Sequence, residues 1–405
     1  MSIYNVFGWA LLGGGIITKL KNLTRQMKIL LVALVFLAGG LALAYVNRAV
    51  LIISFVSFAQ KAAYPVGPNR PVNWQNSGAW QGDGVRPPNI VVILTDDMGF
   101  NDVSYHGEGL IETPHIDRLA SEGVEFANGY AGSAVCSTSR AMLLTGRYST
   151  RYGFEFTPTP DSFPPILEQL AKTDPMPRRF EMRAHDANAV GSNLTFWQRG
   201  LPVEEITLAE ELRAKGYRTL HVGKWHLGRV DELLPRAQGF DESLLMASGL
   251  YLPVDDPNVV NARNEFAVMD KVQWEVLDYA TSFNGGPRFR PDGYLTDYFT
   301  NEAVKAIAAN KEQPFFLYLA HWGPHTPLQA TKEDYAAVGE DFPDHRSRVY
   351  AGMLRAVDRS VGRVMAALEA HGLDDNTLVI FTSDNGGANY IGMPDINKPF
   401  RGWKL

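Results

Sequence analysis

Short apolar runs alternate with helical segments over most of the chain after residue 88. Runs of strand length occupy residues 89–95, 218–222, 315–320 and 378–382, and a shorter strand is predicted at 126–130. Strands that alternate with helices along a chain form a largely parallel sheet with helices packed on both of its faces. The pattern therefore predicts an α/β fold.

Two of the helices predicted between these strands have clear sequence signals. Thr207 and Glu210 have the spacing of a capping box, which predicts the start of a helix that ends near Gly216. Apolar residues recur at helical spacing over 349–368, in a segment that ends at Gly372. We expect that apolar stripe to pack against the sheet.

Polar residues follow the carboxyl ends of the predicted strands. In chain order they are Asp96, Asp97, Cys136, Arg140, Lys224, His226, His321, His325, Asp384 and Asn385. The carboxyl ends of parallel strands lie at one edge of a sheet, which is where ligands bind in open α/β folds. The placement of these residues predicts an enzyme with its site at that edge.

The oxygen-bearing members of this set suit a hard metal ion. Asp96 and Asp97 follow one strand, and Asp384 and Asn385 follow another. Carboxylate and amide oxygens are preferred by Ca²⁺ and Mg²⁺, whereas zinc would recruit more histidine or cysteine. The sequence therefore predicts a site for calcium or magnesium.

The remaining members suit an anion. Cys136 comes just before a predicted helix, whose unpaired N–H groups favour negative charge, and Arg140 lies four residues later on the same helical face. Further positive charge and proton donors are offered by Lys224, His226, His325 and Lys404. Together they describe a pocket for a tetrahedral oxyanion ester over a divalent cation, with transfer or hydrolysis at sulfur or phosphorus.

Composition and charge narrow the function classes. The chain has 405 residues, 45% of them hydrophobic, so it is able to bury a core, and its formal charge is −6. Residues 1–59 carry five basic residues and no acid, which leaves −11 on the remainder and argues against a nucleic-acid partner. A single cysteine excludes an internal disulfide and a multi-cysteine zinc site.

The first 59 residues have the features of an export segment. Residues 29–46 contain no charge and just reach the length that spans a bilayer, and the basic residues before them place the body of the protein outside the cytoplasm. We expect residues 1–59 to be a signal or membrane anchor, 60–88 a linker rich in Pro, Gly, Asn and Gln, and 89–405 the catalytic domain. The expected location is periplasmic, extracellular or lumenal.

The polar clusters also resemble the motifs of a known family. The run Cys136-Ser-Thr-Ser-Arg140, which continues to Arg147, resembles the sulfatase signature around a modified cysteine, and residues 223–228 resemble the second sulfatase signature. Residues 94–97 and 383–386 resemble the metal motifs of that family, and matches at 113–117, 207–210 and 239–241 extend the resemblance over nearly all of the chain after residue 88. The resemblance implies a formylglycine-dependent, arylsulfatase-like sulfatase with the alkaline-phosphatase-like fold.

The resemblance also implies a role for each residue. Cys136 matches the cysteine that a maturation enzyme converts to formylglycine, the nucleophile, and His226 matches the base that takes a proton from its second hydroxyl group. The implied calcium ligands are Asp96, Asp97, Asp384 and Asn385. The implied holders of the formylglycine are Arg140 and Lys224, and the implied sulfate contacts and proton donors to the leaving alcohol are His325 and Lys404. The implied substrate is a small sulfate ester or a sulfated carbohydrate.

Two departures from the family pattern leave other functions open. Thr138 stands where sulfatases have Pro or Ala, and the chain stops one residue after Lys404 where sulfatases continue, so we expect a truncated C-terminal part. One alternative is a phosphonate or phosphate ester hydrolase with the same metal site. The other is a catalytically inactive, membrane-tethered binding protein.

Overall fold

The computed structural model describes residues 48–404 with gaps at 83, 107–108, 161–193, 265–267 and 394, and scattered positions between 24 and 39. Most of the predicted export segment lies outside these residues. The chain divides into two compact units, Met1–Val56 and Ser57–Leu405, and the predicted site belongs to the second. Within the described residues, none of the helices combines the length and the apolar character that crossing a bilayer requires.

The second unit is built on a mixed sheet. Its strands are β1 (Asn89–Thr95), β2 (Arg218–Gly223), β3 (Glu242–Gly249), β4 (Val259–Ala262), β5 (Tyr279–Phe283), β6 (Phe315–Ala320), β7 (Leu328–Thr331) and β8 (Thr377–Ser383). The main sheet has the order β5-β3-β2-β6-β1-β8, and all its neighbouring pairs are parallel except β3 with β5. Strands β4 and β7 form a separate antiparallel pair. The predicted α/β fold is confirmed.

The helices are α1 (Arg48–Ala63), α2 (Pro114–Glu122), α3 (Cys136–Thr145), α4 (Leu208–Ala214), α5 (Val268–Val276), α6 (Leu295–Asn310), α7 (Lys332–Ala337) and α8 (His345–Ala370). Helices α3 and α4 lie on one face of the main sheet, and α6 and α8 lie on the other. Alternate residues of β1 point to opposite faces, because successive side chains of a strand do so. Val91 and Ile93 join the hydrophobic cluster that contains α6 and α8, whereas Val92 and Leu94 join the cluster that contains α3 and α4.

The two helix signals in the sequence are confirmed. Thr207 Oγ1 accepts a hydrogen bond from Glu210 N at 3.2 Å, and Thr207 N donates to Glu210 Oε2 at 2.8 Å, which completes the capping box of α4. The predicted stripe over residues 349–368 lies on α8, where its apolar members are buried. That helix packs against the sheet, as expected.

The strand predicted at residues 126–130 is wrong. Gly129 N donates to Phe126 O at 2.9 Å, so the backbone makes a turn there, and no described strand pairs with it. Phe126 and Tyr130 are 82% and 79% exposed. Aromatic residues raise strand propensity only where a pleated, half-buried surface receives them, and this loop has none.

Residues 64–88, between α1 and β1, contact other parts of the second unit at several points. Trp74 Nε1 donates to Glu302 Oε2 at 3.0 Å, and Gly67 N donates to Arg288 O at 3.0 Å. Gln75 N donates to the carboxylate of Glu242 at 3.1 Å. These contacts hold part of the predicted linker against the body, and the domain boundary after residue 88 stays a prediction.

Backbone hydrogen bonds align the strand ends that carry the site. Asp384 N donates to Thr95 O at 3.1 Å, and His321 N donates to Leu94 O at 2.8 Å. Lys224 N donates to Ala320 O at 2.8 Å, directly after Gly223, whose φ of 109° is one that L side chains rarely adopt. The loops that follow β1, β2, β6 and β8 therefore start at one edge.

We predict that Gly223→Ala destabilises the protein much more than Gly216→Ala. Both glycines have positive φ, so both substitutions incur backbone strain of about 1–2 kcal/mol. At Gly223 a methyl group would also overlap the Ala320 carbonyl oxygen, whereas at Gly216 the nearest atom is Trp80 Cζ3 at 3.5 Å. Urea unfolding of the two variants measures the difference, and equal losses of unfolding free energy would contradict the steric argument.

Candidate active site

The carboxyl edge of the main sheet brings nine of the ten predicted site residues into one buried cluster. The nine are Asp96, Asp97, Cys136, Arg140, Lys224, His325, Asp384, Asn385 and Lys404, each at most 9% exposed. His226 is partly exposed beside them. The loop after β1 supplies the two central carboxylates, with Asp97 in the left-handed region at φ 64°. The residues that follow the strand ends therefore lie together in the structure, as predicted.

Arg140 occupies the centre of the cluster and is fully buried. Its Nε lies 2.9 Å from Asp384 Oδ2, its Nη2 lies 3.2 Å from Asp96 Oδ2, and its Nη1 donates to Lys224 O at 3.1 Å. Burial by itself would lower the pKa of Arg140, but Asp384 and Asp96 outweigh that effect and raise it. Arg140 is therefore a fixed cation that joins three strand ends.

Two lysines and a histidine surround the carboxylates of the β1 loop. Lys224 Nζ forms an ion pair with Asp96 Oδ2, and Lys404 Nζ lies 2.8 Å from Asp97 Oδ2. His325 Nε2 lies 3.5 Å from the same Asp97 oxygen. Burial would raise the pKa of Asp96, yet Lys224, His325 and Arg140 hold that pKa well below its ordinary value. Asp96 is therefore ionised at neutral pH.

Cys136 is the first residue of α3 rather than the residue before it. Its Sγ lies 3.5 Å from Asp96 Oδ1 and 3.9 Å from Asp97 Oδ1. Burial raises the pKa of this thiol far above its ordinary value; the charge of Lys224 opposes the rise, and Asp96 adds to it. An unmodified Cys136 is thus a neutral thiol, and a neutral thiol is a weak nucleophile.

Trp322 is a site residue that the sequence reasoning did not single out. Its ring stacks on the His325 ring with centroids 3.9 Å apart, and Lys224 Nζ lies 4.5 Å from the Trp322 ring centroid. Trp322 Nε1 donates to Gly249 O at 2.7 Å, and the Tyr251 hydroxyl donates to Trp322 O at 2.9 Å. Its position in the loop after β6 was the only sequence signal that Trp322 could belong to the site. The pattern of apolar residues does not distinguish an aromatic ring that orients site residues from one that packs in the core.

Two further histidines that follow predicted strands, His226 and His321, differ in environment. Burial, followed by the charges of Lys224 and Arg140, holds the pKa of His226 well below its ordinary value, so its ring is neutral. His321 is fully buried and its Nε2 lies 2.8 Å from Ser360 Oγ on α8. His321 is therefore part of the packing between β6 and α8, and no described contact joins it to the cluster.

Part of the predicted oxygen set belongs to a group that could hold a metal ion. One ligand atom from each of Asp96, Asp97, Cys136 and His325 lies within 4.8 Å of the others. Asn385 Nδ2 donates to Asp97 Oδ1 at 2.7 Å, while Asn385 Oδ1 is buried and accepts no hydrogen bond from the described residues. Burial and then Asp96 raise the pKa of Asp384 to about 7, so a cation bound beside it would favour its ionised form. Carboxylate and amide oxygens are the ligands of calcium and magnesium.

A sulfatase family model matches residues 88–395 of the chain. The chain is similar to N-acetylgalactosamine-6-sulfatase of Mus musculus, with 34% identity over 308 residues that cover 75% of this chain and 51% of the relative. It is also similar to arylsulfatase A of Homo sapiens, with 31% identity over 325 residues that cover 74% of this chain and 52% of the relative. The chain thus spans about half the length of these curated relatives.

Solved structures show the same similarity. The crystal structure of Ps i-CgsB superimposes with a TM-score of 0.58 and 33% identity, covering 79% of this chain and 62% of that one. A second crystal structure of Ps i-CgsB is a complex with k-i-k-neocarrahexaose, with the same TM-score and coverage. The residues that the family model matches include the strands that carry the site.

We predict that Arg140→Met destabilises the metal-stripped protein by about 3 kcal/mol or more, because it leaves Asp96 and Asp384 buried without their shared guanidinium. Arg213→Met is the matched control: Arg213 Nε pairs with Asp241 at 3.0 Å but is 55% exposed, so we expect its loss to cost less than about 1 kcal/mol. Urea unfolding in the presence of a chelator measures both. Equal costs would contradict the central place of Arg140.

Proposed function

Because the chain belongs to the sulfatase family, we propose that it hydrolyses a sulfate monoester to an alcohol and inorganic sulfate. The observation that carries the proposal is the position of Cys136 at the start of α3, where its Sγ lies 3.5 Å from Asp96 and the cations of Arg140 and Lys224 pair with that same carboxylate. The atom that would carry the nucleophile thus sits beside carboxylates that could hold a metal ion.

A sulfated carbohydrate is the substrate class we propose. The relatives that support it are named N-acetylgalactosamine-6-sulfatase, and the structure of Ps i-CgsB was solved with a neocarrahexaose. A small aryl sulfate is the simplest ester to assay, because it requires only the anionic group and a good leaving alcohol. Turnover of an aryl sulfate therefore tests the reaction, and turnover of a sulfated sugar tests the substrate class.

Two groups beyond the twenty amino acids are part of the proposal. Asp96, Asp97, Asp384 and Asn385 would hold calcium, with magnesium as the alternative, and Cys136 would be converted to formylglycine by a maturation enzyme. The metal supplies charge neutralisation for the ester oxygens, and the formylglycine supplies an oxygen nucleophile. Burial raises the pKa of the Cys136 thiol, so an unconverted cysteine would remain protonated and would be a poor nucleophile.

The side chains around Cys136 can bind the ester and move protons. Lys404 and His325 both contact Asp97, so they can reach a sulfate group that lies over that carboxylate. Burial lowers the pKa of His325 to about 4, so its ring is neutral at neutral pH, and the proton for the leaving alcohol would come from Lys404. His226 has the lowered pKa of a neutral imidazole, which allows it to accept a proton from the nucleophilic residue. Arg140 and Lys224 keep the nucleophilic position within a positive field.

The formal charges of the cluster favour an anionic substrate. Three carboxylates, those of Asp96, Asp97 and Asp384, are matched by the three cations of Arg140, Lys224 and Lys404. The side chains alone are therefore neutral overall when all six groups are ionised, and a bound divalent ion would give the site a charge of +2. Such a site attracts an anionic ester from solution.

We also propose that the protein is exported, either held at a membrane by the N-terminal segment or released after cleavage. The basis is the uncharged run over residues 29–46 and the basic residues before it. Fractionation of source cells tests this proposal, which fails if the protein is recovered with the cytoplasmic fraction.

We predict that the tryptic peptide covering residues 119–140 has the mass expected for an aldehyde in place of the Cys136 thiol, and that the same preparation releases sulfate from an aryl sulfate. Cys136→Ala is expected to abolish that release while leaving the fold intact, because it deletes the nucleophile without changing a paired charge. Mass spectrometry and a sulfate-release assay provide the two measurements. An intact thiol in a preparation without sulfate release would contradict the proposed route.

We predict that calcium raises the melting temperature of the chelator-stripped protein, because it binds the folded state. Asn385→Ala should move the calcium midpoint of that stabilisation to at least about tenfold higher concentration, since the loss of even an outer-shell partner has an effect of this size. Asn389→Ala, at an exposed position four residues later, is the control and should leave the midpoint unchanged. Identical midpoints for the two variants would remove Asn385 from the metal site.

A further inference from the structure

Arg229 is a cation near the site that none of the assigned roles uses. It lies three residues after His226 in the loop that follows β2, at the same edge of the sheet as the catalytic cluster. Its guanidinium carbon lies 4.1 Å from the centroid of the Phe196 ring, over the face of that ring. An arginine stacked on an aromatic ring has a fixed plane, and its N–H groups remain available at the edge of that plane.

The loop that carries Phe196 is held against the loop of Arg229 by the backbone. Leu201 N donates to Leu227 O at 2.8 Å, and a methyl group at Gly200 would overlap that same carbonyl oxygen. The two loops therefore approach each other closely at residues 200 and 227, within a few positions of the stacked pair. This contact fixes where Phe196 supports the guanidinium.

Unlike Arg147 and Arg213, Arg229 has no acidic partner among the described residues. Arg147 pairs with Glu205 at 2.6 Å, and Arg213 pairs with Asp241 at 3.0 Å. Within the part of the chain that the structure describes, no carboxylate forms an ion pair with Arg229 and no acceptor forms a hydrogen bond with it. Burial lowers the pKa of Arg229 to about 10, so the group is still charged at neutral pH. A largely buried charge without a counter-charge is costly unless a ligand supplies one.

The charge of Arg229 also affects His226, the proposed base of the site. Burial, Lys224 and Arg140 are the larger causes of the lowered pKa of His226, and Arg229 adds to them. The guanidinium therefore lies within electrostatic range of the His226 ring. A group of the substrate that lies beside the loop after β2 would therefore meet this charge.

We propose that Arg229, supported by Phe196, binds a second anionic group of the substrate, a carboxylate or a further sulfate on the same saccharide. This inference rests on the proposed sulfatase function and adds a specificity residue to it. The planar guanidinium matches both groups, because each offers two oxygens to a pair of parallel N–H donors. The protein then selects polyanionic sugars over sugars that carry only the ester to be cleaved.

The test compares Arg229→Gln with the control Arg213→Gln on two matched substrates. One is a methyl galactoside with a single sulfate at O6, and the other is the same glycoside with a second sulfate. We expect the ratio of kcat/KM for the doubly sulfated over the singly sulfated glycoside to fall about tenfold or more in Arg229→Gln, the size of one lost charge-assisted hydrogen bond. The ratio should be unchanged in Arg213→Gln. An unchanged ratio in Arg229→Gln would overturn the inference.

A binding measurement separates this inference from the proposed function. In the Cys136→Ala background, which retains the pocket without the nucleophile, titration calorimetry measures the affinity for the doubly sulfated glycoside. We expect the added Arg229→Gln change to weaken that affinity about tenfold or more. If the wild-type protein hydrolyses neither glycoside nor an aryl sulfate, the proposed function fails, and this titration still decides the role of Arg229. Equal affinities with and without Arg229 would show that it serves only to pack on Phe196.

Discussion

The pairing of Arg140 with Asp96 and Asp384 is the interaction on which the site depends. All three groups are almost completely removed from water, and a buried charge is tolerated only when partners surround it. Arg140 lies one turn after Cys136 on α3, while the two carboxylates follow β1 and β8. The ion pairs therefore fix the start of the helix against two adjacent strands, and Cys136 is held beside Asp96 as a consequence. A lysine could not replace this contact, because it lacks the planar fork that bridges two carboxylates.

The remaining charges follow from that first pair. Lys224 and Lys404 arrive from distant parts of the chain to balance Asp96 and Asp97, and Trp322 holds both Lys224 and the His325 ring by its faces. The result is a compact set of carboxylates and cations that is neutral overall before a metal ion is added. Burial keeps the Cys136 thiol protonated in this setting, so the electrostatics that suit an anionic ester are poorly suited to an unmodified cysteine nucleophile.

Much of this arrangement could be predicted from the sequence. The physical reasons for that also explain which features could not be predicted. Buried parallel strands such as β1, β6 and β8 are continuous apolar runs, and the residues directly after them must lie at one edge, so Asp96, Asp384 and His325 could be grouped without coordinates. Local sequence patterns fail to predict secondary structure where contacts with residues far along the chain determine it. The loop with Phe126 has strand-like residues but no neighbouring strand to pair with, and the antiparallel edge formed by β3 and β5 is specified only by tertiary packing. Trp322 and Arg229 matter through contacts with residues far along the chain, which no spacing indicates.

The central claim is that this edge of the sheet is built for transfer at sulfur, rather than at phosphorus or for binding alone. The most direct test is to measure kcat/KM of the calcium-loaded protein on an aryl sulfate, an aryl phosphate diester and an aryl phosphonate that share one leaving group. The account predicts the largest kcat/KM for the sulfate and the loss of that activity in Cys136→Ala. A larger kcat/KM for the phosphonate or the phosphate diester, or binding of all three without turnover, would contradict it.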